Sequence, residues 1–167
     1  MGQQSVARDA ALVEIEIPSR VDMVAVVRMV VSAANDAVEA VHGQRLDDLR
    51  WLTSEATTNA IEANLESAGI DTGNVEDVEI ALRLVDASEV GRVLVTAEVV
   101  EGRVSLTVAD QGPGIVNIPE GPDITDPDRL LVEGAFGIPL MRHLSNSMSF
   151  ESTPEGTVVE LELLQSS

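Results

Sequence analysis

The spacing of apolar residues changes once along the chain, and this change limits the folds that the sequence can adopt. In the N-terminal part, apolar residues recur every three or four positions, which predicts an amphipathic helix over 20–41 and a second helix over about 47–67. From Val75 onward the spacing falls to two, which is typical of half-buried strands. Helices that precede a run of strands predict an α+β protein.

Six segments have the alternation and composition of β-strands. They are 12–17, 78–85, 92–100, 103–110, 147–153 and 157–164. The Glu101-Gly102 pair predicts a tight hairpin between the third and fourth segments, and a short helix over 138–145 precedes the fifth. This order predicts a two-layer sandwich in which a mixed, mostly antiparallel sheet is covered by helices on one face.

Local signals predict where the first helix begins and ends. Ser19 is expected to cap its first turn, with Asp22 at the third position in the manner of a capping box, and Gly43 is expected to end it. Residues 1–10 are polar and are predicted to form a flexible N-terminus. The remaining residues, 11–165, are predicted to form a single domain.

The charge balance and residue content exclude several classes of function. The chain has 29 acidic and 10 basic residues, and the net charge of −19 repels phosphate backbones, so no direct contact with nucleic acid is expected. There is no Cys and no Lys, which excludes thiol chemistry, disulfides and a P-loop lysine. Neither a signal-peptide pattern nor a membrane-spanning run is present, so a cytoplasmic location without membrane contact is expected.

Two polar side chains on the second predicted helix are candidates for a functional site. Glu55 and Asn59 are four residues apart in SEATTNAIEAN, so they lie on one helix face. A carboxylate can polarise a nucleophile, and an amide oxygen can bind a hard cation. The pair is therefore compatible with a magnesium–nucleotide site, and also with an ordinary polar pair on a helix surface.

Three glycine-containing segments are further candidates. Asp110 follows an apolar strand in DQGPG, where a carboxylate can accept a hydrogen bond from a base, and Gly112 and Gly114 permit close approach of the backbone. Gly137 precedes a helix, an arrangement that favours anions, and Thr157 begins the last strand. Taken alone, each segment is equally compatible with an ordinary turn or helix start.

In this order the motifs resemble those of the GHKL (Bergerat-fold) ATPases, and most closely the bacterial anti-sigma factor serine kinases, the switch-protein kinases. SEATTNAIEAN is similar to the N-box of that family, VADQGPGI to its G1 box, AFGIPLMRHL to its G2 box and EGTVVELEL to its G3 region. The resemblance covers about residues 12–164, and it implies a histidine kinase-like ATPase domain with the Bergerat fold.

The resemblance also implies a role for each residue on the phosphate side of the site. Glu55 would be the general base that activates the attacking hydroxyl, and Asn59 would hold Mg²⁺. Residues 116–136 would form the ATP lid, and Gly137 with its helix start would meet the phosphates.

On the adenine side, the resemblance implies that Asp110 recognises the amino group of the base, with Thr157 in support. Gly112 and Gly114 would let the chain pass beside the nucleotide. In such a family ATP phosphorylates a serine of an anti-anti-sigma (STAS-domain) partner, and the kinase also sequesters a sigma factor. ATP, Mg²⁺, both protein partners and a homodimer are therefore implied.

The sequence departs from the family pattern in three places. Ala135 stands where the G2 box usually has its first glycine, Ala63 stands where a His is frequent, and residues 68–91 resemble an insertion. Two alternatives follow. One is a Bergerat-fold partner-binding module or anti-sigma adaptor that has lost kinase activity, and the other is a detached histidine-kinase ATPase domain.

Overall fold

The structure is a computed structural model that describes residues 10–72, 90–114 and 137–165. Several sequence predictions lie wholly or mostly outside these ranges: the flexible N-terminus over 1–10, the strand over 78–85, the insertion over 68–91, the lid over 116–136 and Ala135.

Within the described ranges the chain forms a five-stranded sheet and three helices. The strands are β1 (Ala11–Pro18), β2 (Arg92–Val100), β3 (Arg103–Ala109), β4 (Ser147–Thr153) and β5 (Gly156–Leu164), and the helices are α1 (Met23–Val38), α2 (Gln44–Ser67) and α3 (Gly137–Leu144). The strand order is β1-β2-β3-β5-β4, and each neighbouring pair is antiparallel. The predicted α+β fold is confirmed, including the hairpin between β2 and β3.

The alternation of side chains gives the sheet one face that the helices cover and one face, the bare face, that no element of the described ranges covers. In β2, Val93, Val95 and Ala97 are buried beneath the helices, whereas Glu98 is exposed on the opposite face. Strands β3 and β5 follow the same rule. This period-two separation of apolar and polar residues is expected for an antiparallel sheet that is covered on one side only.

Helix α2 is the central element of the helical layer. It packs against α1 on one side and α3 on the other, and it covers β2, β3 and β5. Its apolar face is buried, with Leu49, Leu52 and Ala56 each 1% exposed. None of the helices in the described ranges has the length and apolar composition that a bilayer span requires.

The predicted ends of the helices are wrong in several respects. Helix α1 begins at Met23, and the preceding Asp22 makes no cap hydrogen bond, since its Oδ2 pairs with Nη2 of Arg20 at 2.6 Å. The Ser19 hydroxyl, predicted to cap this helix, donates instead to the Gly91 carbonyl at 2.6 Å. This contact joins residues 72 positions apart, so no local pattern could have revealed it.

The link between α1 and α2 also differs from the prediction. Helix α1 ends at Val38, and Glu39 follows it in the left-handed region with a φ of 55°. Gly43, predicted to end this helix, instead directly precedes α2 with a φ of 57°. A positive φ suits glycine, which has no Cβ to clash with the following carbonyl.

Candidate functional site

Glu55 and Asn59 lie on the face of α2 that meets the start of α3. A Cβ atom placed on Gly137, the first residue of α3, would lie 3.1 Å from Asn59 Nδ2, from Asn59 Oδ1 and from Glu55 Oε2. These distances are shorter than ordinary van der Waals contacts, so any side chain at this position would push Asn59 and Glu55 aside. The structure therefore brings three of the predicted site residues together.

The Glu55 and Asn59 side chains make no hydrogen bond or ion pair with any other residue in the described ranges, although both are partly buried. Burial raises the pKa of Glu55 above its ordinary value. A carboxylate with a raised pKa is a stronger proton acceptor, as a general base near neutral pH requires. Within the described ranges no protein group competes for these two side chains, so both are available to a ligand.

The start of α3 adds an electrostatic feature to this pair. The first backbone N–H groups of a helix have no acceptor within the helix, and the dipole favours negative charge at this end. Here that end lies directly against the Glu55 carboxylate and the Asn59 amide. The three groups together offer N–H donors and oxygen ligands at one point.

Asp110 forms the second part of the site, at the end of β3. Its Oδ1 accepts hydrogen bonds from the backbone N–H groups of Gly112 at 2.8 Å and Thr157 at 3.1 Å. Burial raises the pKa of this carboxyl, and the two N–H donors act in the opposite direction. Its Oδ2 has no hydrogen-bond partner within the described ranges, so one oxygen is fixed by the backbone while the other is left for a ligand donor.

Thr157 is held against Asp110 by the main chain. Besides donating to the carboxylate, it accepts a backbone bond from Asp110 N at 3.0 Å. Its hydroxyl lies 3.2 Å from the Ser152 hydroxyl. A Cβ on the preceding Gly156 would lie 2.1 Å from the Asp110 carbonyl oxygen, so glycine is required for β5 to pass so close to the end of β3.

The glycines after Asp110 have protein neighbours. A Cβ on Gly112 would lie 3.0 Å from three atoms of Ala63, and one on Gly114, where φ is +74°, would lie 2.2 Å from the Thr153 carbonyl oxygen. Gly114 therefore requires glycine where it meets the end of β4, and a side chain at Gly112 would be crowded against α2. Their predicted passage beside a nucleotide stays a prediction.

Asn64 is a structural residue of the site that the motif analysis did not identify. It is 1% exposed. Its Nδ2 donates to the Ser19 hydroxyl at 2.9 Å and to the Arg92 carbonyl at 3.1 Å, and its Oδ1 accepts from the backbone of Gln111 at 2.8 Å. These contacts attach the residue after Asp110 to α2. Its partners are distant in sequence, and the only local signal was a polar side chain at a buried helix position.

One face of α2 connects the two parts of the site. Glu55, Asn59 and Ala63 follow one another at intervals of four residues, so they lie on successive turns and span about 12 Å. The first two contact the start of α3, and the third contacts the loop after Asp110. Both parts are thus held at a fixed separation by a single helix.

The comparison with family models identifies the domain to which these residues belong. Residues 17–163 match the model of the histidine kinase-like ATPase domain. No significant match was found among curated proteins.

Two solved structures are similar to the chain. The first contains the RsbU and RsbW domains of Rv1364c from Mycobacterium tuberculosis, with 18% identity, a TM-score of 0.57 and 92% of this chain covered. The second is the histidine kinase domain of a blue-light activated histidine kinase from Erythrobacter litoralis EL346, with 21% identity, a TM-score of 0.44 and 85% coverage. The chain spans 32% and 60% of those two chains. The first likeness shows the fold alone.

Proposed function

The chain belongs to the histidine kinase-like ATPase domain family, and from this premise we propose that it binds ATP with Mg²⁺ and phosphorylates a serine of an anti-anti-sigma (STAS-domain) partner. We further propose that it sequesters a sigma factor, as an anti-sigma kinase in the cytoplasm. The observation that carries the proposal is the position of Glu55 and Asn59, which lie against the start of α3 and have no hydrogen-bond partner within the described ranges.

The residues present are compatible with ATP and Mg²⁺. Mg²⁺ prefers oxygen ligands and is commonly bound by one or two protein groups together with phosphate oxygens. Asn59 offers an amide oxygen next to N–H groups that suit phosphates. Within the described ranges no group of three or more acidic or His side chains forms a complete metal cage, so phosphate oxygens would have to complete the coordination.

The other half of the nucleotide is assigned to Asp110. Its unpaired Oδ2 can accept a hydrogen bond from an adenine amino group, while Gly112 and Thr157 hold Oδ1 in place. Bound Mg²⁺ would neutralise phosphate charge during transfer.

Glu55 is the proposed acceptor of the proton from the attacking hydroxyl. Its raised pKa suits this task, and the contact of Gly137 fixes where the carboxylate lies relative to the start of α3. Catalysis of phosphoryl transfer depends mainly on such positioning and on charge neutralisation. The fixed separation along α2 supports this assignment.

Calorimetry with MgATP tests the nucleotide site. Wild-type protein is expected to bind with one site per chain, and Asn59→Ala is expected to weaken the affinity at least roughly tenfold. Glu66→Gln is the matched control, because Glu66 is an exposed polar residue on the same helix. A folded wild-type protein that does not bind would contradict the proposal and favour the partner-binding module.

Transfer of radiolabelled phosphate tests the enzyme. STAS-domain proteins of the same genome are incubated with the protein and ATP labelled at the γ position. We expect an acid-stable phosphoserine that Glu55→Gln abolishes and Glu66→Gln leaves unchanged. An acid-labile product would indicate the histidine-kinase alternative, and ATP binding without transfer would indicate the adaptor. Co-purification with sigma factors and light scattering then test sequestration and the predicted homodimer.

A further inference from the structure

The side chain of Arg45, at the start of α2, is oriented by a neighbour on its own helix. Its Nη1 donates to Asp48 Oδ2 at 2.9 Å, and the side chains are 17% and 8% exposed. The other oxygen of Asp48 accepts from Gln44 Nε2 at 3.1 Å. Because this ion pair lies within one helix, it cannot by itself attach α2 to another element, but it directs the rest of the guanidinium outward.

The remaining contacts of Arg45 reach the end of α3 and the end of the sheet. Nη1 donates to the Leu144 carbonyl at 3.0 Å, and Nε donates to the Leu164 carbonyl at 2.9 Å. Nη2 donates to Asn146 Oδ1, which also accepts from Leu164 N at 2.8 Å. Leu144 is the last residue of α3, so its carbonyl has no acceptor role inside the helix and favours a cation.

Helix α3 therefore contacts α2 at both ends, and at its end the contact is a hydrogen bond. It has eight residues and is about 12 Å long. Its start lies against Glu55 and Asn59, and its end is bound by Arg45, one helix running antiparallel to the other. Between these ends the buried Met141 contributes apolar contact, which is non-directional and does not fix the position of α3 along α2.

We infer that Arg45 is a positioning residue that fixes the start of α3 over the Glu55–Asn59 pair. The inference rests on the proposed role of that pair in phosphate binding and transfer. The planar guanidinium has donors in fixed directions, so it specifies the axial position of α3 in a way that a lysine cannot. A displacement of about 1 Å at a reacting group can cost roughly a hundredfold in rate.

The test compares Arg45→Lys with Arg50→Lys. Arg50 is a matched control, because it pairs with Asp47 at the same spacing of three residues and at 3.1 Å, but both side chains are exposed and lie on α2 alone. The first measurement is amide hydrogen exchange in ligand-free protein. We expect the amide exchange of residues 141–144, whose N–H groups can bond carbonyls within α3, to be about tenfold faster in Arg45→Lys and unchanged in Arg50→Lys.

The second measurement is the affinity for MgATP by calorimetry. We expect Arg45→Lys to weaken binding about tenfold and Arg50→Lys less than twofold. If Arg45 acts through the site, the double variant Arg45→Lys with Asn59→Ala will lose less affinity for MgATP than the product of the two single fold-losses, since both substitutions disturb the same contact. A purely structural role predicts effects that multiply, and that result would overturn the inference.

Two outcomes separate this inference from the proposed function. A wild-type protein that does not bind MgATP overturns the proposed function, and the exchange measurement then tests the positioning of α3 by Arg45 on its own. A wild-type protein that binds, together with an Arg45→Lys variant that matches Arg50→Lys in exchange and affinity, overturns the inference alone. If Arg45→Lys does not fold, Asp48→Asn replaces it in both measurements. We then expect exchange in α3 about threefold faster and affinity for MgATP about threefold weaker.

Discussion

Asn64 and Asn35 provide a matched pair for testing how the site is supported. Both are 1% exposed, and both bond backbone groups. Asn35 bonds the N–H and the C=O of Val41, each at 3.0 Å, near the end of α1. Asn64 bonds the Gln111 N–H and the Arg92 C=O, next to Asp110. Each truncation to alanine therefore orphans one backbone donor and one backbone acceptor, and Asn64→Ala also removes the donor to the Ser19 hydroxyl, which keeps its own bond to Gly91.

The expected cost follows from these two groups. Leaving a buried donor or acceptor unsatisfied costs about 1–3 kcal/mol, so each alanine variant is expected to lose about 2–4 kcal/mol of the free energy of unfolding, the upper end being reduced by partial access of water. Urea unfolding followed by circular dichroism measures this loss. The two variants should be similar in stability.

Their affinities for MgATP should differ. Asn64→Ala releases the residue next to Asp110 from α2, so we expect binding to weaken about tenfold, whereas Asn35→Ala should remain within about twofold of wild type. Calorimetry is performed at a temperature where both variants are folded. Equal affinity losses in the two variants would refute the reasoning, because the effect would then follow stability rather than the support of Asp110.

Three further predictions concern single side chains. Because burial raises the pKa of Asp110, the contribution of this carboxyl to stability should fall as the pH rises from its unfolded pKa through its raised folded pKa. The free energy of unfolding of the wild type relative to Asp110→Asn should therefore decrease between pH 3 and 7. Within the described ranges the buried Thr57 hydroxyl has no partner, so Thr57→Val should raise the free energy of unfolding by about 1 kcal/mol. Thr53→Val, which loses a 2.7 Å bond to a backbone carbonyl, should lower it by a similar amount. Changes of the same sign in urea unfolding would contradict this. Gly137→Ala should change the free energy of unfolding by less than about 1 kcal/mol while lowering the rate of phosphate transfer about tenfold, because the new methyl group displaces the Asn59 and Glu55 side chains. An unchanged rate of transfer would count against the site.

The sequence was sufficient to predict the elements that depend on a repeated local pattern. The alternation predicted β2, β3 and β5 correctly because one face of each strand is buried. A shift of the register by one residue would expose every apolar side chain. The spacing of Glu55 and Asn59 likewise predicted a shared helix face. Both inferences use geometry that is set within a few residues.

What could not be predicted depends on contacts between distant segments. Ser19 has the residue type of a helix cap, yet its hydroxyl bonds Gly91, and only the folded chain brings the two together. The supporting roles of Asn64 and Arg45 could not be read from local patterns, because their contacts with Gln111 and Leu144 join other elements. Position 156 requires glycine because the Asp110 carbonyl, at the end of β3, lies too close to leave room for a side chain. The chemical groups of the site were therefore predictable, and the residues that support them were not.

The bare face of the sheet also has a practical use for labelling. Ser149 lies exposed on β4, where its hydroxyl contacts Glu160 Oε2 at 3.1 Å, on the side of the sheet opposite α2. Since the sequence contains no cysteine, Ser149→Cys would create a unique thiol for attaching a fluorophore. A dye at this position could report the tumbling of the protein, and hence the capture of a large partner, from the side away from the candidate site.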